Sequence, residues 1–391
     1  GDVNYLKLVR GGFSGQQGNN VTKNTITSVV TEVIKKPLTV SQNKSVYLTT
    51  TDTDGGTKQV TKSESRGDNA IAIGYYSAAS GSASIAQGAG SVVDADSGIG
   101  IGSLSYVSEK SANSIAIGVG AQVRKENSIA IGTQASVYGA GAMGLGSGAR
   151  VYGDNSLAFG YGSVIQSRGS IALGNASTVA MGAQNATSLG ANTKIGVNSG
   201  NSVTVGNTAK IGDEALNSMA LGFGSSVGNS AAKSIAFGTN AMIAENATSS
   251  VALGDSAKVT VASSTALGRL AEATNENSVA LGYRSTTHYY GNEATREASA
   301  SETLSDTNKH GLNIAPYLPQ GSKLGDKLAK LDSATAGYVS VGGWIDKDGA
   351  QVRGLRRIVN VAPGALDTDA VTVAQLREWT DKSAHFLSLA G

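Results

Sequence analysis

The chain has no cysteine among its 391 residues, which excludes a disulfide scaffold, thiolate-held zinc and thiol catalysis. Histidine is nearly as scarce: His288, His310 and His385 lie far apart, and each reads as an ordinary surface or core residue rather than a ligand or a proton carrier. With 4 prolines, 5 phenylalanines, 2 tryptophans and 13 tyrosines, the chain is too poor in aromatics for an ordinary aromatic-cored globule. Neither sign of charge prevails, since 31 basic residues face 29 acidic ones, so there is no field to hold nucleic acid. No run of 18 apolar residues occurs, and Gly1 to Arg10 lacks a basic segment followed by an apolar one. The expectation is a soluble fragment or mature ectodomain without a membrane anchor of its own. Nucleophile elbow, phosphate loop and metal-ligand cluster are all missing, so neither an enzyme nor a cofactor is expected.

What the chain has instead is 52 glycines and a repeat. Asn-Ser-Ile-Ala-Ile-Gly occurs at Asn113 to Gly118 and again at Asn127 to Gly132. Aligned on its last residue, the motif forms a ladder: Gly74, Gly88, Gly102, Gly118, Gly132, Gly146, Gly160, Gly174, Gly190, Gly206, Gly222, Gly238, Gly254, Gly268 and Gly282. All intervals are 14 or 16 residues. Large apolar residues sit one and three places before most of these glycines, as Ile115 and Ile117 do. After the glycine a second arm alternates, with Val or Ile five places on (Val107, Val123, Val137, Val151, Ile195) and a variable residue just before it. Two short strands per coil, bent at glycine, define an all-β parallel solenoid with coils stacked at about 4.8 Å.

Between the two apolar places of the first arm the residue is always small: Ala72, Ala86, Ala116, Ala130, Ala158, Ala172, Ala220, Ala236, Ala252, Ala266 and Ala280, with Gly, Ser or Thr in the other coils. Strand alternation puts this column opposite the large residues, and its uniform smallness suggests a closely packed neighbour. These alanines are therefore the expected interface with another copy of the chain, and replacing several with Glu should dissociate or unfold the assembly. The 16-residue coils, concentrated between Gly174 and Gly254, are expected to loosen the outer turns.

Residues 1–66 read as a β-rich segment without an assigned role, and 67–283 as the repeat domain. Residues 284–352, including the Tyr289 and Tyr290 pair, read as an insertion, with a short helix over Gly321 to Asp332 and a strand over Tyr338 to Trp344. In 353–391, Asp367-Thr368-Asp369 supplies helix-capping chemistry for a helix from about Ala370 through Val373, Leu376 and Trp379, the start of a coiled coil.

The repeats, followed by Arg356-Arg357-Ile358-Val359-Asn360-Val361-Ala362-Pro363-Gly364 and then by Asp367-Thr368-Asp369-Ala370-Val371 and Ala374-Gln375-Leu376, resemble the trimeric autotransporter adhesins, with a YadA-like head and neck. The resemblance implies a left-handed parallel β-roll, three chains about one axis, and a bacterial outer-membrane anchor beyond this chain. It also implies adhesion to host matrix such as collagen or fibronectin, or to cell-surface receptors. Residues 284–352 depart from the head pattern and suggest a tryptophan-bearing module with Trp344. A phage-type trimeric fibre, an ice-binding solenoid or a β-solenoid enzyme are the competing readings. Acyltransferase solenoids have coils of about eighteen residues and a catalytic histidine, and the ladder holds no histidine before His288.

Two sets of site residues follow. Arg356 and Arg357 are expected to pair with Asp367, Asp369 or a neighbouring chain's carboxylate, fixing register where a wide roll meets a narrow coiled coil. The outward column of the second strand, Arg150, Lys194, Lys210 and Lys258, with Tyr106 and Gln122 extending it, is the expected ligand-binding face.

Overall fold

The computed structural model describes residues 46–48, 63–287, 337, 339–347, 350–366 and 369–389. The chain divides into two compact units, Gly1–Ser163 and Val164–Gly391. In both, each coil contributes a three-residue strand and a two-residue strand, and like strands pair in parallel with residues of equivalent repeat position in register. In the first unit Ile129, Ala130 and Ile131 stand beside Ile115, Ala116 and Ile117, while Gln122 and Val123 stand beside Ser136 and Val137. In the second, Met219, Ala220 and Leu221 stand beside Ile235, Ala236 and Phe237.

Every position of the repeated hexapeptide has a structural task. Its asparagine takes the left-handed conformation, φ 58° at Asn113 and 55° at Asn127, which the short amide side chain tolerates better than most. The serine is buried and bridges coils: Ser114 Oγ accepts from Ser128 N at 3.0 Å and donates to Lys125 O at 3.0 Å. The same ladder runs through the second unit, where Ser202 Oγ accepts from Ser218 N and Ser218 Oγ from Ser234 N. The closing glycine has φ near 130°, a region that L side chains avoid, and a Cβ on Gly132 would lie 2.5 Å from the carbonyl of Gly146. Coils can therefore stack at strand spacing only because this position bears no side chain.

The small column faces inward, and the interface expectation must be corrected. Ala72, Ala86, Ala116, Ala130, Ala158, Ala172, Ala220, Ala236, Ala252, Ala266 and Ala280 are at most 0% exposed in the single chain, so none reaches a neighbour's surface. They pack inside their own coils with the Val and Ile of the second strand, such as Val123, Val137, Ile211 and Ile243, which are also fully buried. Coil width explains the size limit. A Cβ added to Gly100, in the same column, would already lie 2.7 Å from Val93 Cγ2, and one added to Gly144 would lie 3.0 Å from Val137 Cγ2. The large residues on either side consequently point out.

The longer coils are not loosened. Their two additional residues form a second turn, pinned by a buried small residue: Ser111 in the first unit, and Ala183, Ser199, Ala215, Ala231 and Ala247 in the second. Both ends of the ladder also reach beyond the glycine motif. Val46–Leu48 pairs in parallel with Ile71–Ile73, and Glu64–Ser65 with Ala78–Ala79, so part of the segment before residue 67 joins the sheets. At the other end Val339–Ser340 adds to Val279–Leu281, and Gly343–Lys347 turns back in an antiparallel hairpin with Ala350–Gly354. A strand expected over Tyr338 to Trp344 is thus two strands with different partners.

The final helix is Val373–Leu389, and His385 lies in it. Its cap differs from the expected acidic segment: Thr372 Oγ1 accepts from Gln375 N at 3.3 Å, and Gln375 Oε1 accepts from Thr372 N at 3.1 Å, a reciprocal capping box. The helix expected over Gly321 to Asp332, Tyr289, Tyr290, His288, His310 and Asp367 lie outside the described residues.

Candidate adhesive surfaces

Because the inward places are taken by alanine and valine, each unit presents two very different outer faces. On the three-residue strands the face is apolar. In the first unit it carries Ile115, Ile117, Ile129, Ile131, Leu145, Leu157 and Phe159, the last 55% exposed. In the second it carries Ile171, Val203, Val205, Met219, Leu221, Ile235, Phe237, Leu253, Leu267 and Leu281, with Phe237 50% exposed. Two continuous rows of half-exposed Ile, Leu and Phe are far more apolar surface than a soluble chain ordinarily leaves to water.

The face on the two-residue strands is polar. In the second unit Lys194 and Lys210 are exposed and directly in register, so two like charges sit one coil apart. Two places further along each coil the row holds only the small residues Ala180, Gly196, Gly212, Gly228 and Ala244, with the Asp213 and Asn229 side chains set close against Gly196 and Gly212. Lys258 is partly neutralised by Glu272, the next residue in register, at 3.0 Å. The outward direction expected for Lys194, Lys210 and Lys258 agrees with the structure, as it does for Arg150 in the first unit.

In the first unit the corresponding row carries large side chains. Tyr138 and Tyr152 stack with ring centroids 4.9 Å apart and planes 4° from parallel. The Arg124 guanidinium lies 5.5 Å from the Tyr138 centroid and 5.8 Å from that of Tyr106. Gln122 ties the group together: its Nε2 donates to Tyr138 Oη at 3.1 Å and to Ser136 Oγ at 3.0 Å, and its Oε1 accepts from Arg124. Sequence reasoning named Tyr106, Gln122 and Arg150 but missed Arg124, Tyr138 and Tyr152. The signal was available, because a residue two places beyond an outward one is also outward on a strand.

At the end of the second unit, Arg356 donates to Tyr283 O, to Val341 O at 2.6 Å and to Ser285 Oγ at 2.8 Å. Its guanidinium is therefore committed to the last coil, not to Asp369. Asp369 Oδ2 accepts from Ala365 N at 2.8 Å and Leu366 N at 3.0 Å, and these two bonds hold its carboxyl below the usual carboxylate range. Arg357 is exposed. The amide of Gln375 grips Gly364 from both sides, accepting from its N–H at 3.0 Å and donating to its carbonyl at 2.9 Å. Ile358, Val359, Val373, Leu376 and Trp379 are all exposed, an apolar series.

Each unit is thus a roll of stacked coils with one apolar face, and in the second unit the chain continues into a gripped linker and an apolar-faced helix. Comparison with known families agrees: the YadA head domain repeat matches residues 61–77, 65–91, 110–135, 138–163, 246–270 and 262–285, and the coiled stalk of trimeric autotransporter adhesin matches 357–384. The chain thus carries both the head repeat and the stalk segment of the YadA-like trimeric autotransporter adhesins, a class of cell-surface proteins. Among solved structures it is similar to the collagen-binding domain of the Yersinia adhesin YadA, at 20% identity and a TM-score of 0.29, covering 63% of this chain and 86% of that one. No curated protein matches.

Proposed function

We propose that this adhesin assembles as a homotrimer through the outward Ile, Leu and Phe rows of the three-residue strands, and grips an extended matrix polypeptide along the opposite face. In this reading 67–283 is the head, 284–352 an inserted module and 353–391 the neck and first part of the stalk, with an outer-membrane anchor further along the protein and no catalytic role. The observation that carries it is the contrast between faces: half-exposed Phe237, Leu253 and Leu267 on one, exposed Lys194 and Lys210 on the other. Apolar rows on every coil need a cover, and a second and third copy supply one. In this reading an extended chain such as collagen or fibronectin lies across the exposed lysines of successive coils, held by many weak contacts in triplicate. Lys194→Glu, Lys210→Glu and Lys258→Glu together should weaken solid-phase binding to collagen and fibronectin and reduce its salt dependence, with circular dichroism and assembly mass unchanged. Undiminished binding by that folded variant would remove the lysine column from the adhesive site.

A further inference from the structure

Over the four coils from Gly102 to Tyr152, the two outward rows of the polar face hold arginine, tyrosine, glutamine and serine, and no carboxylate. Tyr106, Arg124, Tyr138 and Tyr152 form one column in which guanidinium and rings follow each other at close to the coil spacing, and Arg150 stands exposed beside it. Exposed arginine and tyrosine are usually mobile; here Gln122 fixes the Tyr138 hydroxyl and the Arg124 guanidinium at once. Ordering these side chains in advance removes much of the entropy a ligand would otherwise have to overcome.

The geometry points to a binding site for an anionic polysaccharide, with sulfate or carboxylate groups on Arg124 and Arg150 and a sugar ring against the exposed Tyr152, which Tyr138 backs from its other side. A planar guanidinium takes two oxygens of a sulfate or carboxylate at once, and an immobilised one does so with least loss of freedom. Tyrosine adds an apolar ring face and a polar hydroxyl, the pairing that a sugar, itself apolar on its C–H faces and polar at its rim, requires. Charge supports the assignment, since the rows are positive with nothing acidic in them. Spacing supports it too, because Arg124 and Arg150 stand two coils apart along the direction in which a linear polymer would lie. The site stands on residues of the first unit alone and is independent of the lysine column in the second.

The test uses the purified full chain against three immobilised probes: heparin, the neutral polysaccharide dextran and the acidic polypeptide poly-L-glutamate. Heparin binding is expected, with poly-L-glutamate at least roughly tenfold weaker and no response to dextran. R124Q/R150Q should weaken heparin binding roughly tenfold, and Y138A/Y152A, which leaves the charge unaltered, should also weaken it several-fold, both with circular dichroism unchanged. K194E/K210E should bind heparin as the parent does. If R124Q/R150Q does not fold, R124K/R150K retains the charge but not the planar fork and should still lose affinity several-fold. Heparin binding within about twofold of the parent in either the arginine or the tyrosine variant, its loss in K194E/K210E, or equal binding of poly-L-glutamate would overturn the assignment.

Discussion

Replacing Gly132 by alanine tests the stacking argument at one atom. Gly132 has φ 134°, and its added Cβ would lie 2.5 Å from both the carbonyl carbon and oxygen of Gly146 in the next coil. Normal contact begins near 3.4 Å, so the neighbouring backbone must retreat by nearly 1 Å. Forcing alanine into a conformation reserved for glycine costs about 1–3 kcal/mol. The retreat also strains the bond from Gly146 N to Ile131 O, now 2.8 Å, and losing a buried backbone bond costs about 1–3 kcal/mol more. Together this is on the order of 2–6 kcal/mol per chain. At about 2–4 °C per kcal/mol, the melting temperature should fall by roughly 4–24 °C. Gly162 is the control. It sits two places after its ladder glycine with φ 62° and nothing within 4 Å of an added Cβ, and equivalent places elsewhere hold Leu104, Gln134 and Asn192. Gly162→Asn should cost about 1 kcal/mol or less. The assay is thermal unfolding followed by circular dichroism, with hydrogen exchange at Gly146 N as the local readout. A Gly132→Ala variant that melts like Gly162→Asn would refute the claim that bare glycine sets the coil spacing.

Ile117→Lys with Ile131→Lys, both on the outward apolar row, should lower the assembly mass seen by light scattering while the β signal persists, whereas Ala130→Glu, placed inside the coil, should abolish the β signal locally; the opposite result would restore the alanine column as the interface. Arg356→Gln should speed hydrogen exchange in the last coil, at Ser285 N and Gly282 N, because the carbonyls of Tyr283 and Val341 lose their donor; unchanged exchange would mean the arginine does not seal that end. The Asp369 carboxyl is held low by two backbone donors, so its contribution is present above the ordinary carboxylate value and is lost as pH falls through the lowered one. Protection of Ala365 N and Leu366 N against exchange, taken relative to the intrinsic rate at each pH, should therefore hold at neutral pH and fall only below about pH 4; a fall beginning at pH 6 would contradict the geometry.

The amino-acid pattern alone determined the solenoid, because glycine recurring at 14 or 16 residues, next to strand alternation, leaves stacked coils as the arrangement that satisfies both. It also determined the direction of the second strand, where Val123 and Ile195 alternate with variable Gln122 and Lys194, and invariance marks the inside. For the first strand alternation was ambiguous: it separates Ala130 from Ile129 and Ile131 without saying which side is interior. Only the tertiary structure decided that, through the distance between the two arms of a coil, where the methyls of Val93 and Val137 crowd the places of Gly100 and Gly144. The same dependence on distance hid the fate of Arg356, whose partners Tyr283, Ser285 and Val341 come from separate stretches of chain. The Tyr138 and Tyr152 stack was legible by contrast, since the 14-residue interval places the two residues one coil apart on the same outward row.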